Sequence, residues 1–217
     1  LYQENIQEKL LDYVVSTLEN EGIVIIPTDT LYAFVCDIKS NKAAHRLAQM
    51  KGKQLEKSNF SILCENLSMA SQYVKQLSKD QFSFIKKQDT GGFTFVLHAS
   101  NLTPKIFQSK KRTIGIRIPQ NLIPLAIISR LERPLLVSSM PKDEDDNYYS
   151  NAELIYDEYR DKVDVVVEDD EIKLMYTGNL IVDLENKKYR QVQNIAVSKD
   201  GINFNKYEHN PVIDTDE

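Results

Sequence analysis

The chain has 217 residues, 41% hydrophobic and 27% charged, with a formal net charge of -5. That length suits one large α/β domain with a substantial core, or two small ones, and the net acidity argues against wholesale coating of nucleic acid while leaving room for a local basic groove. No apolar run approaches membrane-spanning length and the start lacks the charged-then-apolar layout of a signal peptide, so a cytoplasmic protein without membrane contact is expected.

Residues 5–20 carry Ile6, Leu10, Tyr13, Val14 and Leu18 at helical spacing, with Gly22 expected as the left-handed stop. Four β-branched residues, Ile23 to Ile26, then read as a strand buried on both faces. At Pro27 the character changes, and Thr28, Asp29 and Thr30 crowd two hydroxyls and a carboxylate at the strand mouth, as a turn or as a ligand site. A second strand covers 33–36, and Ser40 caps a helix from Asn41 to about Met50. Lys51, Lys53 and Lys57 surround Gly52 directly after that helix. They either complement the helix dipole or bring mobile point charges to a phosphate.

The strand 60–63 is followed by helices over 67–76 and 79–87, then by Gly91 and Gly92 ahead of the alternating strand 93–98. In the strand 113–118, Arg117 lies between Ile116 and Ile118, with Gly115 and Pro119 leaving room on its face. A guanidinium there must be paired or face a polar cavity, because burying it alone is costly. Leu122 to Leu131 is an amphipathic helix, and residues 135–139 are an apolar strand ending in the hydroxyls of Ser138 and Ser139. The run Asp143 to Asp146 reads as a solvated loop, a lid or an attractor of magnesium. Beyond it come a helix opened by the capping box Ser150-Asn151-Ala152-Glu153 and running to about Arg160, a strand over 163–167 and another over 180–184. Cys36 and Cys64 sit in apolar strand-like surroundings as free thiols, and three histidines without ligand spacing make a transition-metal site improbable. With no linker or repeat, one domain spans 1–206, followed by an acidic tail, 207–217.

The hexapeptide Pro27-Thr28-Asp29-Thr30-Leu31-Tyr32 resembles the P-T-[DE]-T-x-Y signature of the YrdC/YciO family, whose best-known members are threonylcarbamoyl-AMP synthases. Further matches follow in family order: Lys51-Gly52-Lys53, Phe60 to Cys64, Gly91 to Leu97, Gly115 to Pro119, and Pro134 to Ser139. The flavour is closer to the YciO side. The resemblance implies an α/β (α+β) fold, with a large twisted mixed sheet flanked by helices around a concave cleft. It implies adenylyl transfer, in which L-threonine, bicarbonate and ATP give threonylcarbamoyl-AMP and pyrophosphate, with Mg2+ accompanying ATP and no metal held by protein residues. Lys51 and Lys53 would be catalytic and, with Lys57 and Ser139, bind the nucleotide. Arg117 and Thr30 would hold threonine, with Ser139 a further carboxylate donor and Tyr32 a wall. Partners would be tRNA or double-stranded RNA and tRNA-modification proteins. Three positions depart from the synthase pattern: Lys53 for an arginine, Pro141 for the asparagine of [ST]-S-A-N, and Leu180 for a hydroxyl. The alternative is a non-synthase relative that binds nucleotide or RNA through the same basic cleft.

Overall fold

The computed structural model describes residues 6–55, 58, 60–88, 91–141, 149 and 151–168, and beyond them the backbone of four short strands. Expectations for Lys57, Asp143 to Asp146, the side chain of Leu180 and the tail 207–217 lie outside the described residues. The elements run α1 (Glu8–Glu19), β1 (Val24–Ile26), β2 (Ala33–Asp37), α2 (Asn41–Met50), β3 (Ser61–Leu63), α3 (Leu67–Tyr73), α4 (Lys79–Lys87), β4 (Phe93–His98) and β5 (Thr113–Arg117). They continue with α5 (Leu122–Leu131), β6 (Leu135–Ser139), α6 (Ala152–Tyr159), β7 (Val165–Val166), β8 (Leu180–Asp183) and β9 (Lys188–Arg190), and a separate ribbon pairs β10 (Ala196–Val197) with β11 (Asn205–Lys206).

Strands β1 to β9 form one sheet in the order β7-β1-β2-β6-β3-β5-β4-β8-β9. The pairs β1–β7, β3–β5 and β4–β8 are parallel and the others antiparallel, so the sheet is mixed, as expected. Alternation sends Ile25, Phe34, Cys36, Leu136, Ile62, Ile116 and Phe95 to one face, where α2, α3, α4 and α6 close the larger apolar cluster. The opposite face carries Val24, Ile26, Val35, Val137 and Leu63 under α1 and α5. Their apolar contact ends at β3. On that same face the register places Ser61, Thr94, Gly115 and Arg117 side by side, so the sheet turns polar beyond the two helices.

Helix ends follow local chemistry. Ser40 accepts from the Ala43 amide at 3.0 Å, Asn66 starts α3, and Ser78 and Gln81 form a reciprocal capping box on α4. The stop of α1 differs from expectation: Glu21, not Gly22, is the left-handed residue, at φ 64°. The amide of Gly22 donates to Thr17 O at 2.9 Å and that of Glu21 to Leu18 O at 3.1 Å, a Schellman closure with Glu21 at its left-handed position. Gly22 is required for a separate reason, since a Cβ there would come within 2.6 Å of Thr17.

Candidate functional site

The connection between β1 and β2, residues 27–32, organises the site. Thr28 Oγ1 donates to Leu31 O at 2.7 Å and accepts weakly from the amides of Thr30 and Leu31. It is therefore a turn former. Asp29 fastens the turn across the molecule: its Oδ1 accepts from the amides of Gln120 and Asn121, both at 2.8 Å, in the segment between β5 and α5. Its Oδ2 is buried without a partner. In the sheet β1 and β5 are four steps apart, ~19 Å along a flat sheet. The contact requires the sheet to twist and the six-residue connection to reach over it.

Arg117 ends β5 beneath that connection, 4% exposed. Its Nη2 donates to Thr30 Oγ1 at 3.3 Å and to Gly91 O at 3.2 Å, and its Nε is buried with no acceptor. Burial pushes the guanidinium down from its ordinary pKa and the Asp29 carboxylate pulls it back; arginine stays charged in either case. Among the described residues, its hydrogen-bond acceptors are therefore two neutral oxygens, with the Asp29 carboxylate acting on it through space. Gly91 explains itself here, because a Cβ would lie 2.8 Å from Asp29 Oδ1, whereas Gly92 has open space around it. The room expected at Gly115 is already filled, since a Cβ there would collide with Ser61 Oγ and Thr94 Cγ2.

The second half of the site is cationic. Gly52, at φ 63°, ends α2 in a Schellman motif: its amide donates to Gln49 O at 2.9 Å and that of Lys53 to Ala48 O at 3.0 Å. The lysine segment is therefore a defined turn at its start. Lys51 Nζ donates to Ser138 Oγ at 2.6 Å and to Ser139 O at 2.7 Å. Desolvation, with the neighbouring Lys53 second, lowers its pKa to about 8. Lys53 is exposed. Ser139 pairs with Ala33 and, by alternation, turns its exposed hydroxyl to the face of Arg117. Tyr32 packs against the larger core cluster.

The predicted residues thus fall into two groups, Arg117 with Thr30 and Lys51 with the end of β6, joined through the 27–32 connection and its continuation into β2. Three contributors were missed by sequence reading. Ser138 carries the hydroxyl that meets Lys51, a contact that needs the alternation of β6 read together with the position of α2. Asp29 was seen as polar turn chemistry, and its anchoring role depends on a partner 91 and 92 residues away. Ser61 stands opposite Gly115 in the β3–β5 register, and the glycine was its only signal. Among the described residues no cluster of histidine, cysteine, aspartate or glutamate is placed to hold a metal, and Cys36 and Cys64 are free and buried.

Known proteins share both sequence and fold with this chain. A family model described as "Telomere recombination", covering the Sua5, YciO and YrdC proteins, matches residues 16–194. The uncharacterized protein YciO of Escherichia coli K12 is 30% identical over 169 residues, spanning 77% of this chain and 81% of its own. Its crystal structure superposes with a TM-score of 0.79 over 89% of this chain and 93% of its own, at 26% identity. A threonylcarbamoyl-AMP synthase of Buchnera aphidicola is 29% identical over 103 residues, 46% of this chain and 58% of its own. The crystal structure of P. abyssi Sua5 complexed with L-threonine shares the fold, with a TM-score of 0.74 at 20% identity over 83% of this chain and 52% of its own. This chain belongs to the Sua5/YciO/YrdC family.

Proposed function

We propose that the chain catalyses adenylyl transfer of the threonylcarbamoyl-AMP synthase type. L-threonine and bicarbonate condense to N-carboxythreonine with loss of water; a carboxylate oxygen then bonds to the α-phosphorus of ATP, and the bond to the β-phosphate oxygen breaks to release pyrophosphate. Such a reaction asks the protein for alignment and for neutralisation of phosphate charge more than for proton transfer. The observation that carries the reading is Arg117, buried to 4% exposure with an unused Nε and two neutral acceptors. A hydrogen-bonded anion is what that guanidinium lacks among the described residues, since Asp29 acts on it only through space.

In this reading Arg117 and Thr30 hold the carboxylate of threonine, with Tyr32 as a wall. Lys51 and Lys53, with Lys57, neutralise the ATP phosphates, while Ser139 donates to nucleotide or carboxylate. Magnesium arrives on the nucleotide's phosphates. Lysine at 53 keeps the charge of the arginine it replaces but not its bidentate fork, and Pro141 offers no side-chain donor; both favour a slower enzyme, or a nucleotide binder as the second reading. The test is pyrophosphate release from ATP with magnesium and bicarbonate, with and without L-threonine. Threonine-dependent release that collapses in Lys51→Ala is the expected result. Nucleotide binding without release would leave the second reading.

A further inference from the structure

Among the described residues β7 is an end strand of the large sheet, paired with β1 alone. In that register Ile25 stands opposite Val166, and its carbonyl accepts from the Val167 amide at 2.8 Å. In a parallel ladder this pattern turns the backbone groups of Val165 and Val167 toward β1 and those of Val166 toward the outer side. The entry to the strand is held firmly. Asp164 Oδ2 accepts from the Ile23 amide at 2.8 Å and from Arg46 Nη1 at 2.7 Å, while Arg46 Nη2 donates to Lys162 O at 2.8 Å.

Helix α6 packs beside this edge. Its Ile155 and Tyr159 join the core, and another side of the helix meets the strand across an open groove of about 390 Å3, lined by Ala152, Glu153, Tyr156, Asp157, Val166 and Glu168. Ala152 and Val166 supply apolar surface, Tyr156 contributes a half-exposed ring, and the remaining three are carboxylates with no cation among the lining. Glu153 and Asp157, at helical spacing i and i+4, repel each other, and neither has an ion-pair partner among the described residues. Neighbouring cations are already engaged, Arg46 with Asp164 and Lys162 with Glu158. Carboxylates around an aromatic face favour the ammonium or guanidinium of lysine or arginine.

We propose that the groove between α6 and the outer edge of β7 receives an extended lysine- or arginine-rich segment of a partner protein, which adds to the sheet as a further strand. Main-chain hydrogen bonds to Val166 supply affinity, and alternate side chains supply specificity. On such a strand the side chains facing α6 recur every ~6.7 Å, close to the ~6 Å rise between Glu153 and Asp157. Basic residues at every second position therefore match the spacing of the carboxylates. A second copy of this chain does not suit the edge, because two β7 strands meeting about a twofold axis would bring the carboxylates of both copies together. The surface uses none of the residues assigned to adenylyl transfer.

The test is fluorescence anisotropy of the full chain with a labelled ten-residue peptide that alternates lysine and threonine, joined by amide exchange at Val166 read by NMR. Comparison peptides carry glutamate in place of lysine, or N-methyl groups on the threonines or on the lysines. Two variants accompany them: Glu153→Gln with Asp157→Asn, and Val166→Pro, which removes an outward N–H at a place where an edge strand tolerates proline. The circular dichroism of both should match the parent. The lysine peptide should bind and slow exchange at Val166 at least roughly tenfold, and Val166→Pro should weaken it. At least one N-methylated peptide should fail, since alternate amides face β7, and the glutamate peptide should not bind. The double carboxylate variant should bind about tenfold more weakly at about 50 mM salt. Absence of binding by the lysine peptide at that salt, binding undiminished in the double variant, or equal binding by both N-methylated peptides would overturn the proposal. So would displacement by spermine with no slowing of exchange at Val166, the mark of a free polyamine site, or a dimeric parent whose Val166 amide is protected before peptide is added. Every outcome is read without ATP, so none depends on whether the cleft makes an adenylate.

Discussion

Lys51 shows how a single side chain ties burial to chemistry. Its Nζ spends two donors on Ser138 Oγ and Ser139 O, both uncharged, and desolvation lowers its pKa to about 8. An unfolded lysine titrates near 10.5. The folded state therefore carries the cost of the charged form in full below about pH 8, and that cost fades as pH rises from 8 to 10.5. A bound phosphate reverses the sign by favouring the ammonium. Affinity for ATP should accordingly fall as pH rises through 8, and binding at pH 8.5 should take up a proton. Calorimetry in two buffers of different ionisation enthalpy reads that uptake directly, and identical heats would remove Lys51 from the nucleotide site. Arg117 was legible in the sequence because a charge inside an apolar strand has few destinations. Ser138 was not, because two adjacent serines differ only in which face of β6 they occupy.

At the scale of elements, two helix ends set the geometry with the same motif and opposite residue choices. Gly52 fills the left-handed position after α2 and Glu21 fills it after α1. Nothing stands within 4 Å of a Cβ at 52, so Gly52→Ala should cost about 1 kcal/mol through backbone conformation alone. Glu21→Gly should gain up to about 1 kcal/mol for the same reason. Denaturant midpoints of the two variants, moving in opposite directions with unchanged m-values, check both. The helices were readable from periodicity and caps, and strands β1 to β8 from apolar runs bounded by turn residues. The short late strands β9, β10 and β11 escaped, because two or three residues carry no period. Strand order was beyond local reading: β3 meets β5 and β1 meets β7 in parallel across long stretches of chain.

Across the whole molecule, the sheet's polar half becomes a site because Asp29 holds the 27–32 connection over the end of β5. Asp29→Ala removes the acceptor of two backbone amides and should cost roughly 1–3 kcal/mol. It should also free Thr30 from Arg117, so that affinity for threonine falls further than affinity for ATP; equal losses in both would show that the anchor serves stability alone. One half of the sheet, under α1 and α5, is ordinary apolar packing, reinforced at the surface by Arg130 between Glu8 and Asp12. The other half keeps a buried guanidinium with an unused donor, a cost that stability alone does not justify. That contrast was partly legible, since each motif could be placed at a strand end, but convergence depends on sheet twist and on a contact between residues 29 and 120 that no local pattern records.

The proposed chemistry stands or falls on whether this guanidinium holds an anionic substrate through adenylyl transfer. The most direct measurement follows isotopically labelled bicarbonate, with ATP and L-threonine, into an adenylate separated by chromatography, for the parent chain and for Arg117→Met. The parent should give a labelled AMP adduct and the variant a rate lower by about a hundredfold, close to 3 kcal/mol for a charged hydrogen-bonding contact, with the variant folded and still binding ATP. A folded parent that binds ATP and threonine yet yields no labelled adduct, or a variant as fast as the parent, would contradict it.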